Sequence, residues 1–345
     1  MKKILISVIF LLAIIAAVVF WMQTNPDKKD ILTPTNLPIK AARYYWPGAY
    51  WREIADKKGW FKEAGLNVEL IDTNADYYKS LADTAAGKID TNDFYLFSLI
   101  QYNIKGAGLV AVINSDISFG VDGIVTRRGI NTFDELKGKK IGVTQDSNHE
   151  YILSLVLKQN RLALSDVNMV DMPCEKTAEE FISGRVDAIV AWEPLLSKSV
   201  TEGNGKKIFD TSEMPGICPV LTVFSSKFIK ERPQDVQAFI NVWHRTEQFI
   251  RENPQEAFQI IADIYKSPKS EVAALAQIDK TLDLHENFIA FSFGTGFESL
   301  FGTFYKINEF MISDGLTDKQ MDPLDVIDGQ FIRKIQGEEK RRNKK

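Results

Sequence analysis

Apolar positions along the chain fall into three regimes. Residues 4–22, ILISVIFLLAIIAAVVFWM, are apolar apart from Ser7 and follow Lys2 and Lys3. A positive start and an apolar run mark an export signal, and this one is nearly long enough to cross a bilayer. No Ala-x-Ala precedes the polar stretch, so the segment is expected either to be cleaved or to stay as a membrane anchor, with the lysines cytoplasmic and the body in the periplasm. Residues 23–38 turn to Asn, Asp, Lys, Thr and Pro and read as a linker.

From Ile39 to Ser226 short strand-type runs alternate with helical spacing: IKAARYYW, AYWREIADKKGWFKEAG, NVELID, DYYKSLADTAAG. KIDTNDFYL, LVAVINS, GIVTRR, KKIGVTQ, VNMVDM, VDAIVAW and ICPVLTVFSS continue the strands, with helices over NHEYILSLVLKQN and TAEEFISG. Such alternation predicts an α/β fold with mostly parallel sheets covered on both faces. Beyond Ser226 apolar residues recur at three and four, and Pro233 and Pro254 sit at first-turn positions, which predicts a helical C-terminal part. Phe239, Val242, Trp243, Phe249 and Ile250 then read as core faces.

Composition narrows the class without changing that picture. With 45% hydrophobic and 26% charged residues, 345 residues suffice for two compact lobes. The net charge of −4 argues against a nucleic-acid partner. Residues 331–345 read as a basic tail, and its last eight, EEKRRNKK, either touch anionic lipid or keep the chain end solvated. The two cysteines, Cys174 and Cys218, leave a disulfide and a pair of buried thiols both open. Neither lies near the apolar run, which excludes a lipoprotein anchor. His149, His244 and His285 match no metal-ligand spacing, so neither metal nor cofactor is expected.

In open α/β sheets ligands bind beyond the carboxyl ends of the strands, and several strand ends here carry unusual groups. RYYWPG presents Tyr45 and Trp46, DTNDF presents Asn92 and Asp93, and SFGVDG ends with Asp122 beside Gly123, whose missing side chain permits close approach. VTQDSNHE contributes Gln145, Ser147, Asn148 and His149. Ser147 with Glu150 three residues on is a capping box, so a helix should begin at Asn148 with its free N–H groups facing the strand ends, a place for an anion. VAWEP ends with Trp192 and Glu193. Trp192 either walls a cleft or packs in the core between lobes, and Glu193 either meets the ligand or caps locally. No nucleophile with its base can be placed, so no catalysis is expected.

The stretches ADKKGWFKEAGLNVELI, SLADTAAGKIDTNDF, FGVDGIVTRRGINTFDELKGKKIGV, AEEFISGRVDAIVAWEPLLSK and SEMPGICPVLTVFSSKFI resemble the solute-binding proteins of ABC importers in the nitrate, taurine and alkanesulfonate group, which includes binders of thiamine-pyrimidine precursors. The resemblance implies a two-lobed periplasmic-binding-protein fold of type II, with residues 39–124 and 224–330 in the first lobe and 125–223 in the second. It implies two chain crossings, near VDGIVT and VLTVFSS, that act as a hinge. The same residues, Tyr45, Trp46, Asn92, Asp93, Asp122, Gln145 to His149, Trp192 and Glu193, map onto the family's site, with Ser147 and Asn148 where sulfonate binders hold the anionic head. The implied partners are a small-molecule solute and an ABC permease, with the chain itself a monomer. Asp93, Asp122 and Glu193 outnumber the one evident cation, Arg43, which favours a zwitterion or a nitrogen ring over a free dianion. A membrane-anchored sensing domain and a thiamine-pyrimidine-synthesis enzyme are the competing readings; the enzyme's Cys-rich motif is absent here.

Overall fold

The computed structural model describes residues 33–342. The apolar run 4–22 and most of the linker lie outside them, and among the described residues no helix is long and apolar enough to cross a membrane. Among the described residues eleven strands follow one another: β1 (Pro38–Arg43), β2 (Asn67–Asp72), β3 (Thr91–Tyr95), β4 (Leu109–Ser118), β5 (Asp122–Arg127), β6 (Lys140–Val143), β7 (Asn168–Asp171), β8 (Ala188–Trp192), β9 (Gly205–Asp210), β10 (Pro219–Ser225) and β11 (Asp279–Thr281). They form a six-stranded sheet in the order β11-β4-β10-β3-β1-β2 and a five-stranded sheet in the order β7-β6-β8-β5-β9.

Both sheets are mixed, not mostly parallel. β1 runs parallel to β2 and β3, but β10 is antiparallel to β3 and β4, and β11 to β4. In the second sheet β6 is parallel to β7 and β8, while β5 is antiparallel to β8 and β9. β5 and β10 each follow a strand of the other sheet, so no helical crossover imposes a parallel direction on them. The chain passes between the sheets after Ser118 and again after Asp210. Sheet membership thus puts Asp122–Ile124 with the second sheet and Pro219–Val223 with the first, a few residues from the expected boundaries.

The two crossings are stitched to each other. The hydroxyls of Ser118 and Thr211 meet at 2.6 Å, the Gly120 N–H donates to Thr211 Oγ1 at 2.9 Å, and the Asp122 N–H donates to Ser118 Oγ at 3.2 Å. Ser118 and Thr211 are buried, so these bonds replace water that the backbone would otherwise need.

Around the first sheet pack the long helices Pro233–Glu252 and Pro254–Tyr265, each with its proline in the first turn as expected. Trp51, Phe61, Phe224 and Phe239 interlock there, Phe239 lying 5.0 Å from Trp51, 5.5 Å from Phe61 and 5.4 Å from Phe224 between ring centres. Burying each such side chain contributes about 1.5–3 kcal/mol. The expected single helix over residues 49–65 is two, Tyr50–Lys57 and Trp60–Glu63, because Gly59 adopts a φ of +72° between them. The basic stretch begins in a helix, Gln330–Arg342, whose Phe331, Ile332 and Ile335 are buried and whose Glu339 meets His244 Nε2 at 2.8 Å, while Lys340, Arg341 and Arg342 are exposed. The start of the described chain is also held, since Thr35 donates to both carboxylate oxygens of Asp235 at 2.7 and 2.5 Å.

Candidate functional site

Between the lobes lies a cavity of about 70 Å³. Tyr78, Leu81, Tyr95, Ser98, Gln101 and Tyr102 line it from the first lobe, and Asp146, Ser147, Asn148, His149 and Trp192 from the second. A larger groove of about 390 Å³, between the helices Cys174–Ile182 and Leu195–Thr201, draws its lining from the second lobe alone and from no strand end. A ligand that closes two lobes must touch both, so the interlobe cavity is the candidate site.

Local chemistry fixes the second-lobe wall. Ser147 caps the helix Asn148–Gln159 by accepting the His149 N–H at 3.1 Å, and the helix starts at Asn148 as its sequence predicts. The box is only half formed: the buried Glu150 accepts from the Asp146 N–H at 2.6 Å. Carboxylate oxygens of Asp146, Glu150 and Asp314 lie within 4.8 Å of one another, Asp314 coming from the first lobe. Burial, then neighbouring carboxylates, raises the pKa of Glu150 and of Asp314. The positive end of this helix therefore already faces acidic groups, a poor place for an added anion.

His149 and Asp122 form a buried pair, Nε2 to Oδ1 at 3.0 Å. Burial penalises the charged ring, but the neighbouring Cys174 sulfur and the Asp122 carboxylate outweigh it and raise the His149 pKa to about 10. Its ring centre lies 5.0 Å from that of Trp192, which lies 6.3 Å from Tyr78; Tyr78 neighbours Tyr77 at 5.5 Å, and Tyr77 neighbours Tyr44 at 6.0 Å. These rings make one aromatic wall that runs from lobe to lobe, a surface on which a planar or cationic solute can lie.

The remaining expected site residues have other partners. Asp93 forms a bidentate ion pair with Arg52, at 2.5 and 2.6 Å, with both side chains fully buried, and also accepts from Thr222 at 2.6 Å. Asn92 donates to Ser80 and Thr84 at 3.0 and 3.2 Å, tying β3 to the helix Tyr77–Ala85. Tyr45 reaches Glu271 at 3.2 Å and packs against Tyr265. Gln145 is exposed and its N–H donates to Asp171. Glu193 accepts the Ser197 N–H at 3.0 Å, capping the helix Leu195–Thr201 in the local role weighed for it. Gly123 is approached by the Phe209 carbonyl of β9, where an added Cβ would lie 2.6 Å from that oxygen. Trp46 donates to Asp116 Oδ2 at 3.3 Å. Cys174 and Cys218 are buried free thiols; Asn148 Nδ2 donates to the Cys218 sulfur at 3.3 Å.

Tyr77, Tyr78, Tyr95, Asp116 and Asp279 escaped sequence reasoning. The tyrosine pair follows the helix cap Asp76 just beyond β2, and Asp116 is a carboxylate inside the otherwise apolar and small-polar strand LVAVINSDIS; both were available signals. Burial pushes Asp116 up to about 7, and Asp279 beside it well above the usual carboxylate range.

Comparison with known proteins sets this geometry among relatives. A family model described as NMT1/THI5 like matches residues 53–257. A Bacillus subtilis protein provisionally named an aliphatic sulfonates-binding protein is 28% identical over 290 residues, 81% of this chain and 83% of its own. A 4-amino-5-hydroxymethyl-2-methylpyrimidine phosphate synthase of Saccharomyces cerevisiae is 23% identical over 227 residues, 61% of this chain and 65% of its own. Among solved structures, the periplasmic aliphatic sulphonate binding protein of Escherichia coli superposes with a TM-score of 0.65 at 15% identity, covering 84% of this chain and 91% of its own. The periplasmic nitrate-binding protein of Synechocystis PCC 6803 gives a TM-score of 0.65 at 13% identity, covering 88% and 89%. These likenesses establish the periplasmic-binding-protein fold.

Proposed function

Because the chain belongs to the NMT1/THI5-like family, we propose that it is the periplasmic solute-binding component of an ABC importer, capturing a small polar organic solute between its lobes and presenting the closed form to a permease. The observation that carries this reading is the interlobe cavity, lined from both lobes, on a fold whose halves are joined by two crossings. Binding that touches both lobes favours the closed arrangement by its differential contacts. The solute class is a taurine-like zwitterion or a nitrogen heterocycle: the aromatic wall suits a ring, and the acid-rich helix start disfavours a simple anion. The chain acts as a monomer with no cofactor, exported by the segment 4–22, which is either cleaved or kept as an anchor.

A second reading has one observation in its favour. Cys174 lies beside His149, which pairs with Asp122, and one relative is a pyrimidine phosphate synthase. Small-angle scattering against a solute panel, with product analysis of every solute that binds, tests both. Compaction without product supports the importer reading; product formation overturns it, as does a profile unchanged by every solute.

A further inference from the structure

Two buried carboxyl groups in the first lobe have no cation to answer them. Asp116 on β4 and Asp279 at the start of β11 are each 1% exposed and close enough to share a proton. Asp116 Oδ1 and both oxygens of Asp279 have no hydrogen-bond partner; the Gly48 N–H points toward Asp279 without reaching bonding geometry. Across the junction Asp122 Oδ2 is likewise without a partner. The neighbouring cations are committed elsewhere, Arg52 to Asp93 and His149 to Asp122 Oδ1. Gly48 presses on the pair so closely that a Cβ there would lie 1.8 Å from Asp116 Oδ1. Trp46 donates its one N–H to the other Asp116 oxygen.

Such an arrangement is costly as it stands, because a buried carboxylate without donors forfeits its hydration. It becomes favourable when a cation with several N–H donors replaces the shared proton. We infer that Asp116 and Asp279, with Asp122 of the second lobe, form the subsite for a protonated nitrogen, so that the solute is a cationic amine, or a zwitterion or heterocycle carrying one. The inference rests on the solute-binding reading above and deepens it. It also gives closure a chemical cause: the nitrogen is shared between carboxylates of both lobes, so that bringing Asp122 toward Asp116 is favourable only with the cation between them.

Two matched pairs test it on the wild-type protein by titration calorimetry and scattering: taurine against 2-hydroxyethanesulfonate, and 4-amino-5-hydroxymethyl-2-methylpyrimidine against its 4-oxo analogue. In at least one pair the amino member should bind about tenfold or more tightly and compact the protein, a ratio set by one charged hydrogen bond. Asp116→Asn and Asp279→Asn should each erase that preference; should either variant misfold, the wild-type comparison still decides. Equal binding by both members with compaction overturns the inference and leaves the solute-binding reading intact. Failure of all four to bind or to compact the protein overturns both.

Discussion

Replacing Asp93 with Asn keeps the size of the side chain and removes its charge. The Arg52 guanidinium, fully buried and bonded to both Asp93 oxygens, then loses its counter-ion in a site that water cannot reach. Leaving one member of a buried pair uncompensated costs about 3–5 kcal/mol. At about 2–4 °C per kcal/mol for a lobe of this size, the midpoint of thermal unfolding should fall by about 6–20 °C. The double variant Arg52→Met with Asp93→Leu should recover most of that loss, since well-packed apolar groups often match a buried pair. Differential scanning calorimetry measures the melts, and titration calorimetry any solute the wild type binds. A shift under about 2 °C together with lost affinity would refute the reasoning and return Asp93 to the ligand.

Trp192→Ala should weaken solute binding by about 1–3 kcal/mol by titration calorimetry, as for a lost aromatic contact. Glu193→Gln should leave affinity unchanged and lower the melting midpoint slightly, because its carboxylate caps a helix. Thr211→Val leaves the Gly120 N–H unpaired and removes one of the two partners of the Ser118 hydroxyl, and should destabilise by about 1–3 kcal/mol in urea unfolding. Burial lifts Asp116 to about 7 and Glu247 to about 8, so above the ordinary carboxylate range the folded state binds more protons than the unfolded one, and stability falls as pH rises. His149, held up at about 10, acts in the same direction, its contribution complete below its ordinary value and lost through the raised one. The melting midpoint should therefore decline from pH 5 to pH 9, and Asp116→Asn should flatten the decline; a rise across that window contradicts the assignment.

What the sequence disclosed was local. Ser147 announces the start of the helix at Asn148 because a cap and its helix are neighbours in the chain, and Trp192 lies at a strand end that alternation alone locates. Asp93 and Asp116 look alike on paper, each an acid on a buried strand. Which of them meets Arg52 is decided by the packing of the helix Tyr50–Lys57 against β3 and β10, contacts between residues 41 and 170 positions apart. The helix Leu96–Ile104 was missed for a different reason: Leu96, Phe97, Leu99 and Ile100 make an apolar run in which helix and strand periods cannot be told apart. The direction of β5 and β10 was equally hidden, since it follows from where the chain changes sheets.

Thr35 moors the described chain to Asp235, and Arg232 grips the carbonyls of Leu37 and Pro38 where β1 begins. From Pro38 the strand runs six residues, about 20 Å, before it delivers Tyr44 and Trp46 toward the cleft. Any leash joined ahead of that mooring pulls on the base of the first lobe, not on its mouth. A bead or sensor chip attached there would leave the jaws free to gape and snap, with their open side toward the bulk solution.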